Sequence, residues 1–453
     1  MNTNEAITEN PLGTERIGKL VVKFAVPSVI SMVVNALYNV IDQIFIGQGV
    51  GYLGNGATNV IFPLTIVVIS LGLLIGDGAA AYMSLKLGQK NSDAAAKGVG
   101  CSITLMFIVG FVLCLLFVLF LKPLCMLFGA TDDNLPYALD YGRIISLGVL
   151  FSVLDSGMSG IIRADGSPKY TMAGLLVGCI VNVILDPIFI FVFDFGVKGA
   201  AWATVIEQVL NAVIYFLYIW KFKSIKLTKS SFHISGKTTA RICRLGISSF
   251  ITQMSLMIVV AVSNNALVQY GKISPYGADI PLTTMGITMK VNQIISAVLI
   301  GLSTGAQPIW GYNYGSKQSD RVKKTYRIVM IAATAVLVLA FFVFQLAPMS
   351  IIKIFGSESD LYNEFAVKCF KIFLLVCPIN GFQMVTGVFF QAIGKPVQAT
   401  VLSLTRQIVY LVPSMLLLPM ILGVEGVLWA GPVADVLAFI TAMVMLKLYW
   451  KKI

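Results

Sequence analysis

Charge is scarce in this 453-residue chain: Asp, Glu, Lys and Arg together make up 12% of it. That is about half the share of a soluble domain, which excludes a surface wetted on all sides. There is one histidine, His233, so a histidine-based metal or catalytic cluster is excluded as well. The seven cysteines are scattered, mostly within apolar runs, without metal-ligand or redox spacing. They read as small packing residues. Acidic residues are outnumbered 21 to 33 by Lys and Arg, for a net charge of +12. The excess is not spread as a nucleic-acid surface requires. It gathers on alternate loops and at both termini, the bias that places those segments in the cytoplasm.

What fills the chain is apolar sequence, 57% of all residues. Runs of about 20 apolar residues recur from end to end, each long enough to cross a bilayer as a helix. The expectation is an all-α membrane protein with about twelve spans, from 20–47 to 424–448, and with both termini in the cytoplasm. Residues 365–391 and 396–421 read as single continuous spans. The polar leader lacks a small-residue cleavage site and does not read as a signal peptide. A polar connection over 221–240 separates two six-span halves, 1–220 and 241–453.

The halves repeat one another. GDGAAAYMSLKLGQKNSD (76–93) corresponds to STGAQPIWGYNYGSKQSD (303–320), and IIRADGSPKYT (161–171) to FQAIGKPVQAT (390–400). GVKGAAWATVIEQVL (196–210) corresponds to GVEGVLWAGPVADVL (423–437). Six is an even number, so both copies insert in the same orientation, as parallel repeats.

Polar residues inside the spans carry the functional signal. VNVILDPIFIFVF (181–193) holds Asn182 and Asp186, one helical turn apart on one face, followed by Pro187. An ionisable group in hydrocarbon costs about 3 kcal/mol or more, so it faces a polar partner or a cavity. Asp42 is a second such carboxylate, and Thr204 follows in the sixth span. Two carboxylates, an amide oxygen and a hydroxyl form an all-oxygen set, suited to a hard cation or to a shared proton. The matching positions in the second half are Val409 and Pro413, with Ser263 to Asn265 opposite Asp42. Ionisable chemistry is therefore expected to be concentrated in the first half. The opposing reading is a set of structural residues that cap a broken helix.

With those residues in place, the chain resembles the multidrug and toxic compound extrusion (MATE) transporters. The resemblance runs from FAVPSVISMVVNALYNVIDQIFIG (24–47) through both halves and is most specific over NVILDPIFIFVFDFGVKGAAWAT (182–204). It is nearest to the Gram-positive multidrug exporter branch, close to the DinF-type subgroup. The resemblance implies two six-helix lobes and export of cationic amphipathic drugs against sodium or protons. It also implies a cation site at Asp42, Asn182, Asp186 and Thr204, with no cofactor beyond the coupling ion. NorM-type members rely instead on acidic residues of the second lobe. The nearest counterparts here are Gln253, Lys290 and Gln307.

Asp155 is a candidate partner for a cationic substrate, with Met32, Tyr38 and Met158 as an adaptable lining; packing is the competing role for each. Lys290 is either a snorkelling lysine or a cation at the lobe interface. The expected setting is a monomer in lipid, with small-molecule substrates, no nucleic-acid partner and no enzymatic activity. A flippase for a lipid-linked precursor is the alternative within transport.

Overall fold

The computed structural model describes residues 10–50, 52–128, 130, 134–277, 279–355 and 359–451; most of the polar leader, residues 1–9, lies outside that set. The described chain is all-helical. Among the described residues, eleven helices are long and apolar enough to cross a membrane, and a bent pair, taken as one span, makes twelve. The first six are Ile17–Val50, Tyr52–Gly88, Ser92–Leu127, Leu135–Ala164, Pro168–Pro187 and Val197–Leu217. The second six begin with Gly236–Gly271, Asp279–Gly315 and Ser319–Leu346. The tenth span is the bent pair, the eleventh runs over Pro396–Leu422, and the twelfth is Val424–Trp450.

Of the two spans expected to be continuous, the tenth is broken, and the eleventh is continuous but locally widened. The tenth breaks into Asp360–Phe373 and Cys377–Ala392, bent by 51°. Pro378, near the start of the second piece, has no N–H to return to the preceding turn, so the helix restarts there. The eleventh widens into a π-helical stretch at Thr405–Leu411, next to Pro413. The fifth does the same at Ile188–Val192, directly after Pro187. A widened turn accommodates a proline that an α-helical ladder cannot.

The repeat is visible in the backbone. Lys90 and Lys317 both take left-handed conformations, with φ of 57° and 61°. Gly166 and Gly394, at 90° and 75°, each precede a proline-initiated helix. Gly196 and Gly423, at 55° and 61°, open the sixth and twelfth spans.

Two apolar cores form, and the halves exchange helix ends between them. Leu20, Phe24 and Ala25 of the first span are buried in the second half's core, whereas Ile242 of the seventh belongs to the first half's. Small residues let these helices touch. A Cβ on Gly246 would fall on the backbone of Leu74, and one on Gly78 would fall on Ile242. A Cβ on Gly301 would meet Val29 at 2.5 Å, and one on Gly305 would meet Ala25 at 2.7 Å. All four contacts lie toward the face of the molecule that carries the termini, so the halves are closed there.

The 221–240 connection packs on the first half. The Thr104 hydroxyl donates to the Phe232 carbonyl at 2.9 Å. The Asp165 carboxylate accepts from the Tyr218 hydroxyl at 2.7 Å and from the backbone N–H groups of Lys223 and Ser224 at 2.8 and 2.9 Å.

Candidate cation site in the first half

Proline begins and ends the helical part of the fifth span, with the apolar run LLVGCIV between them. Asn182 and Asp186, at i and i+4, turn inward together and are both 0% exposed. The widened turn after Pro187 then meets its neighbours closely. A Cβ on Gly49 of the first span would fall on Ile190, and one on Gly199 of the sixth would meet the Phe189 backbone at 2.8 Å. These glycines bring the first and sixth spans against the fifth at the level of the carboxylate.

Asp42 and Asp186 come to stand beside one another. Tyr141 of the fourth span is within electrostatic reach of both and hydrogen-bonds with Thr204, whose hydroxyl also donates to the Ala200 carbonyl at 3.0 Å. Asp42, Asn182 and Asp186 are thus on adjoining faces of the first and fifth spans, and Thr204 of the sixth is linked to them through Tyr141. The two carboxylates face each other, yet Asp42 Oδ1, both Asp186 oxygens and both polar atoms of Asn182 are buried without a hydrogen-bond partner. Buried polar atoms are paired in the great majority of cases, and an unpaired one costs about 1–3 kcal/mol. Four of these five atoms are oxygens, a set that a bound cation or a shared proton would satisfy. None of the ion pairs among the described residues involves Asp42 or Asp186. No group of three or more His, Cys, Asp or Glu side chains among them is placed to hold a metal ion. The donor set is two carboxylates completed by neutral oxygens, which suits a monovalent hard cation or a proton better than a transition metal.

The expected substrate residues scatter. Tyr38 is half-buried and belongs with this site, within electrostatic reach of Asp42, Asp186, Glu207 and Tyr141. Met158 is 1% exposed and packs in the first core. Met32 is half-buried on the first span. Asp155, also half-buried, neighbours Glu207 and Tyr215.

Three further polar groups lie outside the set of expected site residues. Glu207 is 7% exposed and accepts from Asn211 Nδ2 at 2.8 Å, an i,i+4 pair of the same spacing as Asn182 and Asp186. Tyr141 gave no signal, because a tyrosine in a span reads as packing. The second half holds a carboxylate too: Asp435 of the twelfth span, 7% exposed, accepts from Arg406 Nε at 2.8 Å. The asymmetry between halves is therefore one of pairing. The second half's carboxylate is neutralised by a guanidinium, and the first half's pair is not.

The MatE family model matches residues 27–188 and 246–416, one match in each half. The chain belongs to the MatE family. Among its MatE relatives, the multidrug export protein MepA of Staphylococcus aureus (strain MRSA252) is 25% identical over 435 residues, covering 95% of this chain and 93% of that protein. The MepA of Staphylococcus haemolyticus is also 25% identical, over 94% and 92% of the two chains. The ligand-bound structure of the MATE multidrug transporter DinF-BH has a TM-score of 0.88 at 32% identity, covering 96% of each chain. A MATE family transporter in an outward-facing conformation has a TM-score of 0.90 at 22% identity, which establishes the shared fold. The two MatE matches cover the first two pairs of repeated segments, and the first match includes Asp42, Asn182 and Asp186.

Proposed function

We propose that this protein is a multidrug exporter of the cytoplasmic membrane, an antiporter that moves cationic amphipathic compounds out against entering sodium ions or protons. The observation that carries the coupling is Asp186, buried with Asn182 beside the half-buried Asp42: both Asp186 oxygens and Asp42 Oδ1 lack a hydrogen-bond partner, and neither carboxylate has an ion pair among the described residues. A cation entering this site gains two carboxylates and the neutral oxygens of Asn182 and Thr204. Without it, the two carboxylates repel unless a proton takes its place. Such a site drives transport when the cation binds it with different affinity in the two states of the lobes. Substrate and ion are then linked by a coupling free energy, whichever binds first. The names of the relatives, multidrug export protein and multidrug transporter, support the substrate class.

The test is dye efflux from proteoliposomes with sodium and pH gradients imposed separately. Export driven by at least one gradient, and lost in Asp186→Asn at equal incorporation, is the expected result. Efflux in that variant equal to wild type removes the site from the mechanism.

A further inference from the structure

Lys290 sits in the eighth span and is exposed, with no ion pair among the described residues. A lysine exposed on a membrane helix faces either lipid or a watery cleft, and helix geometry decides between them. At 3.6 residues per turn, Thr283, Lys290, Ala297 and Gly301 fall within about 20° of one line along the helix. The far end of that line is fixed, because Gly301 presses on Val29 of the first span. Lys290 therefore points toward the other half, about 16 Å farther from the terminal face at 1.5 Å per residue.

At that level the first span meets the fifth, through Asp42 and Asp186. The exposed positions around Lys290 agree: they are Thr283, Gly286 and Gln293, and the only large hydrophobic exposed along this helix, among the described residues, is Ile300. The lipid-facing third span, by contrast, exposes Phe107, Phe111, Leu115 and Leu119 among others. Asn264 and Asn265 of the seventh span are exposed as well. Counting outward from the same contact, Asp42 is about 20 Å from Val29, so Lys290 and the acidic site stand within roughly a helical turn in depth.

We propose that Lys290 is the anion-recognising residue of the substrate cleft, and that the cleft accepts zwitterionic amphiphiles. The cationic end of the substrate lies toward the acidic first half, and its carboxylate lies on the Lys290 ammonium. This rests on the export reading above only in taking the cleft as the substrate's path. A charged hydrogen bond made in a desolvating cleft discriminates by about tenfold or more between a carboxylate and its ester.

The probes are rhodamine 6G, an ethyl ester with a fixed positive charge, and its free acid, a zwitterion with the same ring system. Equilibrium binding of each to the purified full-length protein is read by fluorescence polarisation, with no gradient imposed. A failure of coupled efflux therefore leaves this result standing. Wild type is expected to bind the acid, and Lys290→Gln to lower the acid-to-ester affinity ratio about tenfold, with Lys290→Arg restoring it. A wild type that does not bind the acid overturns the proposal. So does an unchanged ratio in Lys290→Gln, whether both affinities hold or both fall together.

Discussion

The Ser249 hydroxyl of the seventh span donates a 2.7 Å hydrogen bond to Asp77 of the second, joining the halves near the terminal face. Gln391 Nε2, from the bent tenth span, donates in turn to Ser249 at 3.1 Å. Arg163 lies close enough to Asp77 to help compensate its charge. Asp77 is 9% exposed, so the cluster forms in a nearly dry contact. Separating the halves on this side would break it. Ser249→Ala removes the shared donor and leaves Asp77 short of a partner, at a cost of about 1–3 kcal/mol to the closed state. Spin labels on the terminal-face ends of the second and seventh spans should report a longer, broader distance in this variant. An unchanged distribution assigns closure to the glycine contacts alone.

Those contacts make their own prediction. A Cβ on Gly246 would overlap the Leu74 backbone, which cannot move aside as a side chain can. Overpacking of a tight contact typically costs about 1–3 kcal/mol. Gly246→Val should open the terminal face and lower efflux about tenfold, while Gly236→Ala, where nothing lies near, should leave efflux at the wild-type level.

Sodium and protons should compete for the first half. A cation shares its site with two carboxylates, and protonating either removes one of the charges that hold it. Sodium affinity measured on purified protein should therefore fall with falling pH, by up to about tenfold per unit once one proton displaces one ion. It should vanish in Asp42→Asn. Sodium binding that survives in that variant and is lost on altering Gln253 transfers the site to the second half.

Breaking the buried pair in the second half should cost stability without removing ion dependence. Arg406→Met leaves Asp435 charged and unpaired, a loss of about 3–5 kcal/mol. Arg406→Met with Asp435→Leu should recover most of it, as read from the thermal midpoint, and the double variant should keep its sodium or proton dependence.

The orientation is tested by labelling. With the termini in the cytoplasm, a cysteine at exposed Ser230 is shielded from an impermeant reagent added to whole cells, and one at Ile273, which is 79% exposed, is reached. The opposite pattern inverts the molecule.

The sequence by itself determined the helical class, the number of spans and the duplication. These follow from local facts: apolar run length, and turn residues such as Gly196 and Gly423 recurring at the same point in each half. It also marked Asp42, Asn182 and Asp186, because a polar atom in hydrocarbon is conspicuous wherever its partners lie. Tertiary structure decided who those partners are. The 51° break in the tenth span depends on how a proline is accommodated, and an apolar run reads the same with or without it. Asp435 reads like Asp186 along the chain; only folding places Arg406 against one and leaves the other unpaired. Lys290 had two readings, lipid or cleft, until Gly301, eleven residues on, fixed the direction of their shared helix face. Charge in a membrane is visible in a sequence, but its neutralisation is a contact between distant residues, and contacts are made by the fold.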